Sequence, residues 1–404
     1  MEALRTPRYR IVLATSAANQ IAVWTAYTAA IAGMLAAGMG VVELGLLSAC
    51  WTLGMPIPVI AGGALTDRFG PSRVLLLGIA VQVGGILLMT LAFSGPAPAL
   101  APILLAAALI GGAEGFNSVS IQVLAGAVVP RSQMGSAIGS LLIATATGRI
   151  AGGLLIGPLV ALVGIAPSFI VSLLFPATAV LLLRRLGRVA AIADEGTPAG
   201  SRLDLRPGAR WLRSSPVAIS VVLIGALMSL AVYSYFAPLP IVVARTLGSD
   251  AGAQGVAMAL GGVAILAIGL SLGRILRRFG TGRVLIAGVF ASAFFVAGLG
   301  LAESAAVAVV VLTLLPMCTN IQYATCNLLL QQLAPAAVRG RVLGLFTLTF
   351  VLLEPIGMAG VSALSQVAGE QIVLVGMGIV TTLSVGLIVL LRPAILRAGA
   401  AAPA

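Results

Sequence analysis

Long apolar runs recur from one end of this 404-residue chain to the other, and they constrain its fold more than any other feature. Each run is about 20 residues or longer, enough for a helix to cross roughly 30 Å of hydrocarbon. Hydrophobic residues make up 60% of the chain and charged residues 8%, a balance that would make a water-soluble domain of this length aggregate. The sequence therefore predicts an all-α, polytopic integral membrane protein.

Twelve of these runs are predicted to span the bilayer. Their approximate bounds are 10–34, 41–66, 73–94, 100–126, 134–161, 165–186, 216–243, 250–274, 281–302, 305–331, 340–367 and 370–392. The first run has no small-residue cleavage site after a short apolar core, so we expect a retained helix rather than a signal peptide.

The basic residues follow the connections between these spans. Of the 23 basic residues, all but Arg149 and Arg245 fall at the termini or in alternate connections. By the positive-inside rule both termini and the long middle segment are predicted to be cytoplasmic, in a multi-pass protein of the cytoplasmic membrane. The net charge of +12 thus reflects topology, and we expect no nucleic-acid partner.

One loop sequence occurs twice in the chain. "GALTDRFGPSRVL" (63–75) returns as "GRILRRFGTGRVL" (273–285), with seven of thirteen positions identical, and Asp67 is replaced by Arg277. A second echo pairs "VPRSQMGSAIGS" (129–140) with "APAAVRGRVLGL" (334–345). These offsets of 210 and 205 residues predict parallel repeats: an N-terminal six-helix bundle (1–186), a cytoplasmic linker (187–215) and a C-terminal six-helix bundle (216–404). Such repeats characterise secondary transporters, although a duplicated scaffold without transport stays an alternative.

Three ionisable side chains fall deep inside predicted spans: Glu114 in helix 4, Arg149 in helix 5 and Glu354 in helix 11. A charge at such a depth costs several kcal/mol unless it is paired or hydrated, so each is a candidate functional residue. Arg149 and Glu354 lie 205 residues apart, at equivalent places in the repeats. Pairing of Arg149 with either acid leaves three roles open: proton coupling, a static salt bridge, or contact with a charged substrate.

Polar and aromatic side chains recur at helical spacing in helices 1, 4, 7 and 10. The candidates for a substrate cavity are Asn19, Gln20, Trp24, Tyr27, Asn117, Gln122, Tyr233, Phe236, Asn320, Tyr323 and Asn327. Each one alone is also explained as a contact between helices. Amides, hydroxyls and aromatics beside an acid suit a fairly large, partly apolar ligand.

Catalysis is not predicted. The chain has no histidine, and its three cysteines fall within predicted spans without paired spacing, as expected of small apolar side chains. No nucleophile and base are paired, and no residues have the spacing of a metal site. We therefore expect a monomeric non-enzyme without cofactors, whose partners are the lipid bilayer, a small-molecule substrate and protons.

The first copy of the loop resembles the signature of the major facilitator superfamily, in the pattern G-x-L-x-D-R-x-G-x-x-R. Its residues here are Gly63, Leu65, Asp67, Arg68, Gly70 and Arg73. The resemblance implies twelve helices in two pseudo-symmetric bundles, with helices 1, 4, 7 and 10 lining a central cavity. It also implies a cytoplasmic gate, where a solvated turn is the alternative. We expect Asp67 to bridge to the start of helix 11 when the gate closes.

A finer resemblance covers nearly the entire chain. "FNSVSIQVLAGAVVPR" (116–131), "GRIAGGLLIG" (148–157), "NLLLQQLAPAAVRGRVLGL" (327–345) and "LLRPAILR" (390–397) are similar to the branch of macrolide efflux proteins and the enterobactin exporter. This implies a multidrug-type efflux antiporter that exports amphiphilic molecules, either drugs or a siderophore-like metabolite, on the proton gradient. Alternatives are a facilitator or importer of a polar solute such as a sugar, and a non-transporting sensor or scaffold. The chain departs from the drug-antiporter pattern at Gly111, where an arginine is usual.

Overall fold

The computed structural model of this protein describes residues 6–95, 97–129, 134–186, 206–335 and 338–398, and every element in these ranges is helical. The α-helices are α1 (Pro7–Ala36), α2 (Val41–Gly54), α3 (Pro56–Phe69), α4 (Pro71–Phe93), α5 (Leu100–Val128), α6 (Met134–Val163), α7 (Ile165–Ser172), α8 (Leu174–Leu186), α9 (Arg206–Ser214), α10 (Pro216–Leu227), α11 (Leu239–Thr246), α12 (Ala251–Phe279), α13 (Thr281–Gly300), α14 (Ala305–Leu333), α15 (Arg339–Ala368) and α16 (Glu370–Leu391). A π-helical segment (Met228–Val232) and a 3₁₀ segment (Tyr233–Phe236) continue α10, and a 3₁₀ turn (Pro393–Arg397) follows α16.

Eleven segments of the described chain are long and apolar enough to cross a membrane, and the polytopic all-α fold is confirmed. α2 with α3 forms one of these segments, and α7 with α8 forms another. Outward-facing apolar side chains, such as Val367 at 89% exposure, suit a lipid environment. α1 is 30 residues long but is not among the eleven, because arginines and amides interrupt its apolar sequence. A twelfth span and cytoplasmic termini stay predictions.

The backbone repeats itself at the predicted offsets. Six glycines in the described ranges have positive φ, and all six form pairs: Gly38 with Gly248, Gly70 with Gly280, and Gly164 with Gly369. The first two pairs are 210 residues apart and the third is 205 apart, matching the two sequence echoes. Gly70 and Gly280 each precede the helix that follows the repeated loop, where a side chain would be strained. The same turns therefore occur in both halves of the chain.

The described residues form two compact units. The first comprises those of Met1–Ala193 together with Leu239–Gly269, which includes α11 and most of α12. Within it α1 packs along α6 and α8, and α5 packs on α4 and α2. α6 and α12 come so close that a Cβ on Gly255 would overlap the carbonyl oxygen of Gly153. This approach brings part of the second repeat against helix 5 of the first.

The second unit comprises the described residues of Asp194–Pro238 and Leu270–Ala404. In this unit α13 packs between α14 and α16, and α15 packs on the π-helical and 3₁₀ segments. Of the predicted linker, 187–205 lie outside the described residues, and α9 lies on α15 with Gly208 and Leu212 buried. The predicted division into bundles 1–186 and 216–404 stays a prediction.

Candidate functional site

Glu114 and Gln20 meet inside the first unit. α5 carries Glu114 and α1 carries Gln20, whose side-chain amide donates a hydrogen bond of 3.2 Å to the Glu114 carboxylate. Both side chains are half-buried. A carboxylate inside an apolar helix bundle loses its hydration, so the amide of Gln20 offsets part of that cost.

Trp24 extends this contact by one helical turn of α1. Its indole N–H donates to the Gln20 side-chain oxygen at 3.2 Å. The guanidinium of Arg149, on α6, stacks over the Trp24 ring with its carbon 4.6 Å from the ring centroid. Arg149 is only 7% exposed, and a cation over an aromatic face in such a desolvated place is attracted by about 2 kcal/mol.

α12 forms the far wall around Arg149. A guanidinium nitrogen of Arg149 lies 3.9 Å from the sulfur of Met258, and a Cβ at Gly261 would come within 2.9 Å of the same nitrogen. The missing side chain at Gly261 therefore makes room for the guanidinium. Arg149 thus contacts a helix of the second repeat as well as α1.

These contacts form a continuous chain from Glu114 through Gln20 and Trp24 to Arg149. We call it the Glu114–Arg149 chain. Indole N–H can only donate, so Gln20 must present its oxygen to Trp24 and its NH₂ to the carboxylate. One amide orientation satisfies both neighbours. The chain links α1, α5, α6 and α12, so a change at the acid can reach four helices.

Aromatic and amide groups surround this chain on α1. Tyr27 contacts Trp24 edge-on at 5.9 Å between centroids and Trp51 at 4.7 Å, and its hydroxyl shares a 2.8 Å hydrogen bond with Ser48. Nearby, the side-chain NH₂ of Gln82 donates to the backbone carbonyl of Asn19 at 3.5 Å. The side-chain oxygen of Gln82 accepts from the side-chain NH₂ of Asn117 at 3.4 Å. Asn19 and Asn117 are buried, and the contacts of Asn117 join α4 to α5.

Glu354 lies in the second unit, on α15, beside a group of aromatic rings. It lies one helical turn after Phe350 on the same helix. The rings of Tyr233 and Tyr323 pack edge-on against Phe350 at 5.3 and 5.0 Å. The Tyr233 hydroxyl donates to the Thr319 carbonyl at 2.7 Å, which fixes the ring between α14 and α15. The structure thus places an acid beside aromatic rings in this unit too.

The remaining cavity candidates are divided between local contacts and exposed positions. Asn320 donates to the Pro316 carbonyl of its own helix at 2.8 Å, and Asn327 accepts from Gln331 at 2.6 Å. Phe236 packs on Tyr235 at 4.7 Å, and Gln122 is exposed. Whether any of these binds substrate stays a prediction.

The gate candidates lie at the junction of α3 and α4. Arg68 and Arg73 are exposed, Gly63 lies within α3, and Gly70 forms the positive-φ turn. The side chain of Asp67 lies outside the described residues, so its predicted bridge to helix 11 stays a prediction.

Three residues around the Glu114–Arg149 chain were not predicted from the sequence: Gln82, Met258 and Gly261. Gln82 is an amide within a predicted span, which is a signal in the sequence, but its helix 3 is not among the helices that the resemblance places around the cavity. Met258 and Gly261 carry no polar signal, and only the packing of α12 on α6 places them beside Arg149.

The sequence matches the family model of the Major Facilitator Superfamily over residues 12–358. No curated protein matches the chain. Among solved structures, a mutant of the nucleoside transporter NupG is similar with a TM-score of 0.74 and 11% identity, covering 94% of this chain and 99% of that one. A POT family transporter in complex with 5-aminolevulinic acid has a TM-score of 0.76 and 14% identity, covering 96% of each chain. At these identities the likeness shows the fold.

Proposed function

This chain belongs to the Major Facilitator Superfamily of transporters, and on that premise we propose that it exports amphiphilic small molecules by alternating access as a proton antiporter. The observation that carries the proposal is the Glu114–Arg149 chain. It connects a titratable acid within a membrane span to a buried cation through two neutral side chains.

Protonation of Glu114 would change the hydrogen bonding of this chain. The carboxylate can only accept, which holds the NH₂ of Gln20 toward it and leaves the Gln20 oxygen for Trp24. A protonated Glu114 gains an O–H donor and favours the reversed amide, which turns the NH₂ of Gln20 toward the indole N–H of Trp24. The hydrogen bond between Trp24 and Gln20 is then lost, and the ring on which Arg149 stacks is released.

The energies involved are large enough for coupling. A hydrogen bond contributes about 1 kcal/mol, and the cation–π contact at this buried site contributes about 2 kcal/mol. Together, about 3 kcal/mol shifts an equilibrium between two conformations by roughly 150-fold. Since Arg149 touches Met258 and Gly261 on α12, release of Trp24 would loosen the packing of α6 on α12.

The side chains near both acids suit an amphiphilic substrate. Trp24, Tyr27 and Trp51 form an aromatic row in the first unit, and Tyr233, Tyr323 and Phe350 form one in the second. Aromatic rings offer apolar area with a polar edge, and the acids attract cationic groups. We therefore propose amphiphiles with a cationic group as the first substrates to test.

The test uses purified protein in liposomes with an imposed pH gradient and a fluorescent lipophilic cation. Wild-type protein should move the dye against its own gradient only while the pH gradient lasts. Glu114→Gln should abolish this pumping, because the amide cannot exchange a proton, and Glu354→Gln tests the second acid. Glu303→Gln, at an exposed acid beyond the end of α13, is the matched control and should pump normally. Full pumping by both Glu114→Gln and Glu354→Gln would refute proton coupling through these acids.

A second candidate is uptake of a polar solute, and the buried amides favour it. The side-chain oxygens of Asn19 and Asn117 are buried and have no hydrogen-bond partner among the described residues. The similar folds of a nucleoside transporter and a POT family peptide transporter make such solutes reasonable to screen. Accumulation of a nucleoside or a dipeptide in the same liposomes, with no dye movement, would favour this candidate over export.

A further inference from the structure

A cavity of about 420 Å³ lies in the second unit, and Glu354 is not among its lining residues. It is lined by Val217, Leu333, Pro393, Ala394, Arg397 and Ala398. Three candidate spans terminate around it: Pro216–Phe236 begins there, and Ala305–Leu333 and Glu370–Leu391 end there. The ends of apolar spans lie at the level of lipid headgroups, so this cavity opens where phosphate groups are found.

The chain after the last span is folded into a definite turn to form this cavity. Ile395 is fully buried, and the backbone N–H of Gly282 donates to the Ala398 carbonyl at 3.0 Å. A Cβ at Gly282 would overlap the carbonyl oxygen of Ile395, so the glycine permits this docking on α13. Arg392 closes the other side by donating to the Pro216 carbonyl at 2.7 Å and to Ser220 at 3.3 Å.

The lining has the chemistry of an amphiphile's binding site. Arg397 is the charged member of an otherwise apolar set, and its side chain is exposed. A guanidinium binds phosphate through paired hydrogen bonds in a geometry that fits its planar fork. Leu390 and Leu391, which lead into the turn, are 80% and 71% exposed and offer a track for acyl chains.

The neighbouring helix α9 adds positive charge at the same end of the unit. It contacts α10 and ends two residues before Pro216, and its Arg206, Arg210 and Arg213 are exposed. Each basic side chain near an anionic membrane surface contributes about 1 kcal/mol of attraction. The field at the mouth of the cavity therefore favours an anionic headgroup over a zwitterionic one.

We propose that this cavity binds one anionic phospholipid, with the phosphate on Arg397 and the glycerol region between Val217, Leu333 and Ala394. The volume is in the range typical of small-molecule sites. This lipid site shares no lining residue with the proposed transport site, and binding there does not depend on the direction of transport.

Native mass spectrometry of the purified full-length protein tests the proposal with phosphatidylglycerol, phosphatidylcholine and glycerol phosphate as probes. Phosphatidylglycerol should bind more tightly than phosphatidylcholine, and Arg397→Ala should weaken it by about tenfold, the loss expected for one charge-assisted contact. Ala394→Trp should abolish the binding of phosphatidylglycerol, because the indole fills the cavity while the charge is unchanged. Arg185→Ala removes an exposed arginine from the end of α8 in the first unit and should bind as wild type does.

Three outcomes would overturn the proposal. Equal losses in Arg397→Ala and Arg185→Ala would show attraction by net charge alone. Equal binding of phosphatidylcholine and phosphatidylglycerol would show an apolar surface without headgroup selection. Tight binding of glycerol phosphate by itself would identify a site for a free phosphate compound. A thermal melt of each variant confirms that it is folded, and Ala394→Trp tests the cavity even if Arg397→Ala is unstable.

Discussion

The side chain of Trp24 makes two different contacts, one through its N–H and one through its ring face. Its indole N–H bonds Gln20, and its ring face carries the guanidinium of Arg149. The two contacts can be separated by substitution, because phenylalanine keeps an aromatic face and removes the N–H. Trp24 is therefore the residue at which the continuity of the Glu114–Arg149 chain can be tested with little change in packing.

We predict that Trp24→Phe lowers the free energy of unfolding by about 1 kcal/mol, the value of one hydrogen bond. Pumping driven by the pH gradient should fall much more than stability, since the link from Glu114 to Arg149 is broken. Trp24→Leu should lose the cation–π contact as well and be less stable than Trp24→Phe. Thermal unfolding and the liposome assay measure the two effects.

Trp211→Phe is the control for this prediction, because Trp211 lies on α9, outside the candidate spans. Pumping at the wild-type rate by Trp24→Phe would mean that the indole N–H does not transmit protonation.

Individual residues also show which parts of the candidate site could be predicted from the sequence. The depth of Glu114 and Arg149 in apolar spans was enough to select them, because an ionisable side chain there is costly. Which side chains contact these two residues could not be predicted, since Gln20 is 94 positions from Glu114 and Met258 is 109 positions from Arg149. Gly111, where an arginine was expected by resemblance, is explained by packing: a Cβ there would overlap the Trp51 carbonyl oxygen.

Helix 7 differs from its counterpart in the first repeat. Its counterpart α1 runs unbroken from Pro7 to Ala36, whereas α10 passes into the π-helical and 3₁₀ segments before α11 begins at Leu239. Pro238 and Pro240 lack the N–H that would continue the helix, and a proline ring clashes with the carbonyl four residues earlier. Prolines are a local signal for such a break, whereas the π-helical turn has no comparable signal in the sequence.

We predict that Pro238→Ala makes helix 7 more regular and raises the melting temperature, since the alanine restores a backbone donor. Transport should slow if the break is needed for conformational exchange. Pro216→Ala is the matched control, because Pro216 occupies the first turn of α10, where proline is tolerated. A lower melting temperature together with faster transport for Pro238→Ala would contradict this view.

The repeat extends over the whole molecule, and its equivalence can be tested by substituting the paired glycines. The sequence showed the repeated loop, while the third pair, Gly164 with Gly369, became visible only through backbone dihedral angles. Equivalent turns should have equivalent energetic roles even where the side chains around them differ, as Asp67 and Arg277 do.

We predict that Gly70→Ala and Gly280→Ala each cost about 1–3 kcal/mol, because their φ values of 85° and 79°, with ψ values of 148° and 150°, lie in a region essentially restricted to glycine. Gly386→Ala is the control, since Gly386 lies within α16 with open space around it and should be neutral or slightly stabilised. The measurement is thermal unfolding of each variant in the same detergent. Costs that differ by several kcal/mol between Gly70 and Gly280 would show that the two turns are not equivalent.

The number of spans determines the topology of the whole chain, and this number depends on whether α1 crosses the membrane. If α1 crosses the membrane there are twelve spans and the termini share one side, whereas eleven spans place them on opposite sides. The polar residues that lower the hydropathy of α1 include Asn19 and Gln20, which are bonded or buried inside the first unit. Polar groups that are kept away from lipid in this way do not prevent a helix from spanning, so we expect twelve.

Single cysteines in a protein without Cys50, Cys318 and Cys326 test this topology. With a membrane-impermeant maleimide, Thr6→Cys and Ala398→Cys should be labelled only after the cells are opened, because the positive-inside rule places both in the cytoplasm. Glu303→Cys should be labelled on intact cells, since an odd number of spans separates it from either end. Labelling of Thr6→Cys on intact cells together with Glu303→Cys would show that α1 does not span, and the assignment of twelve helices would be wrong.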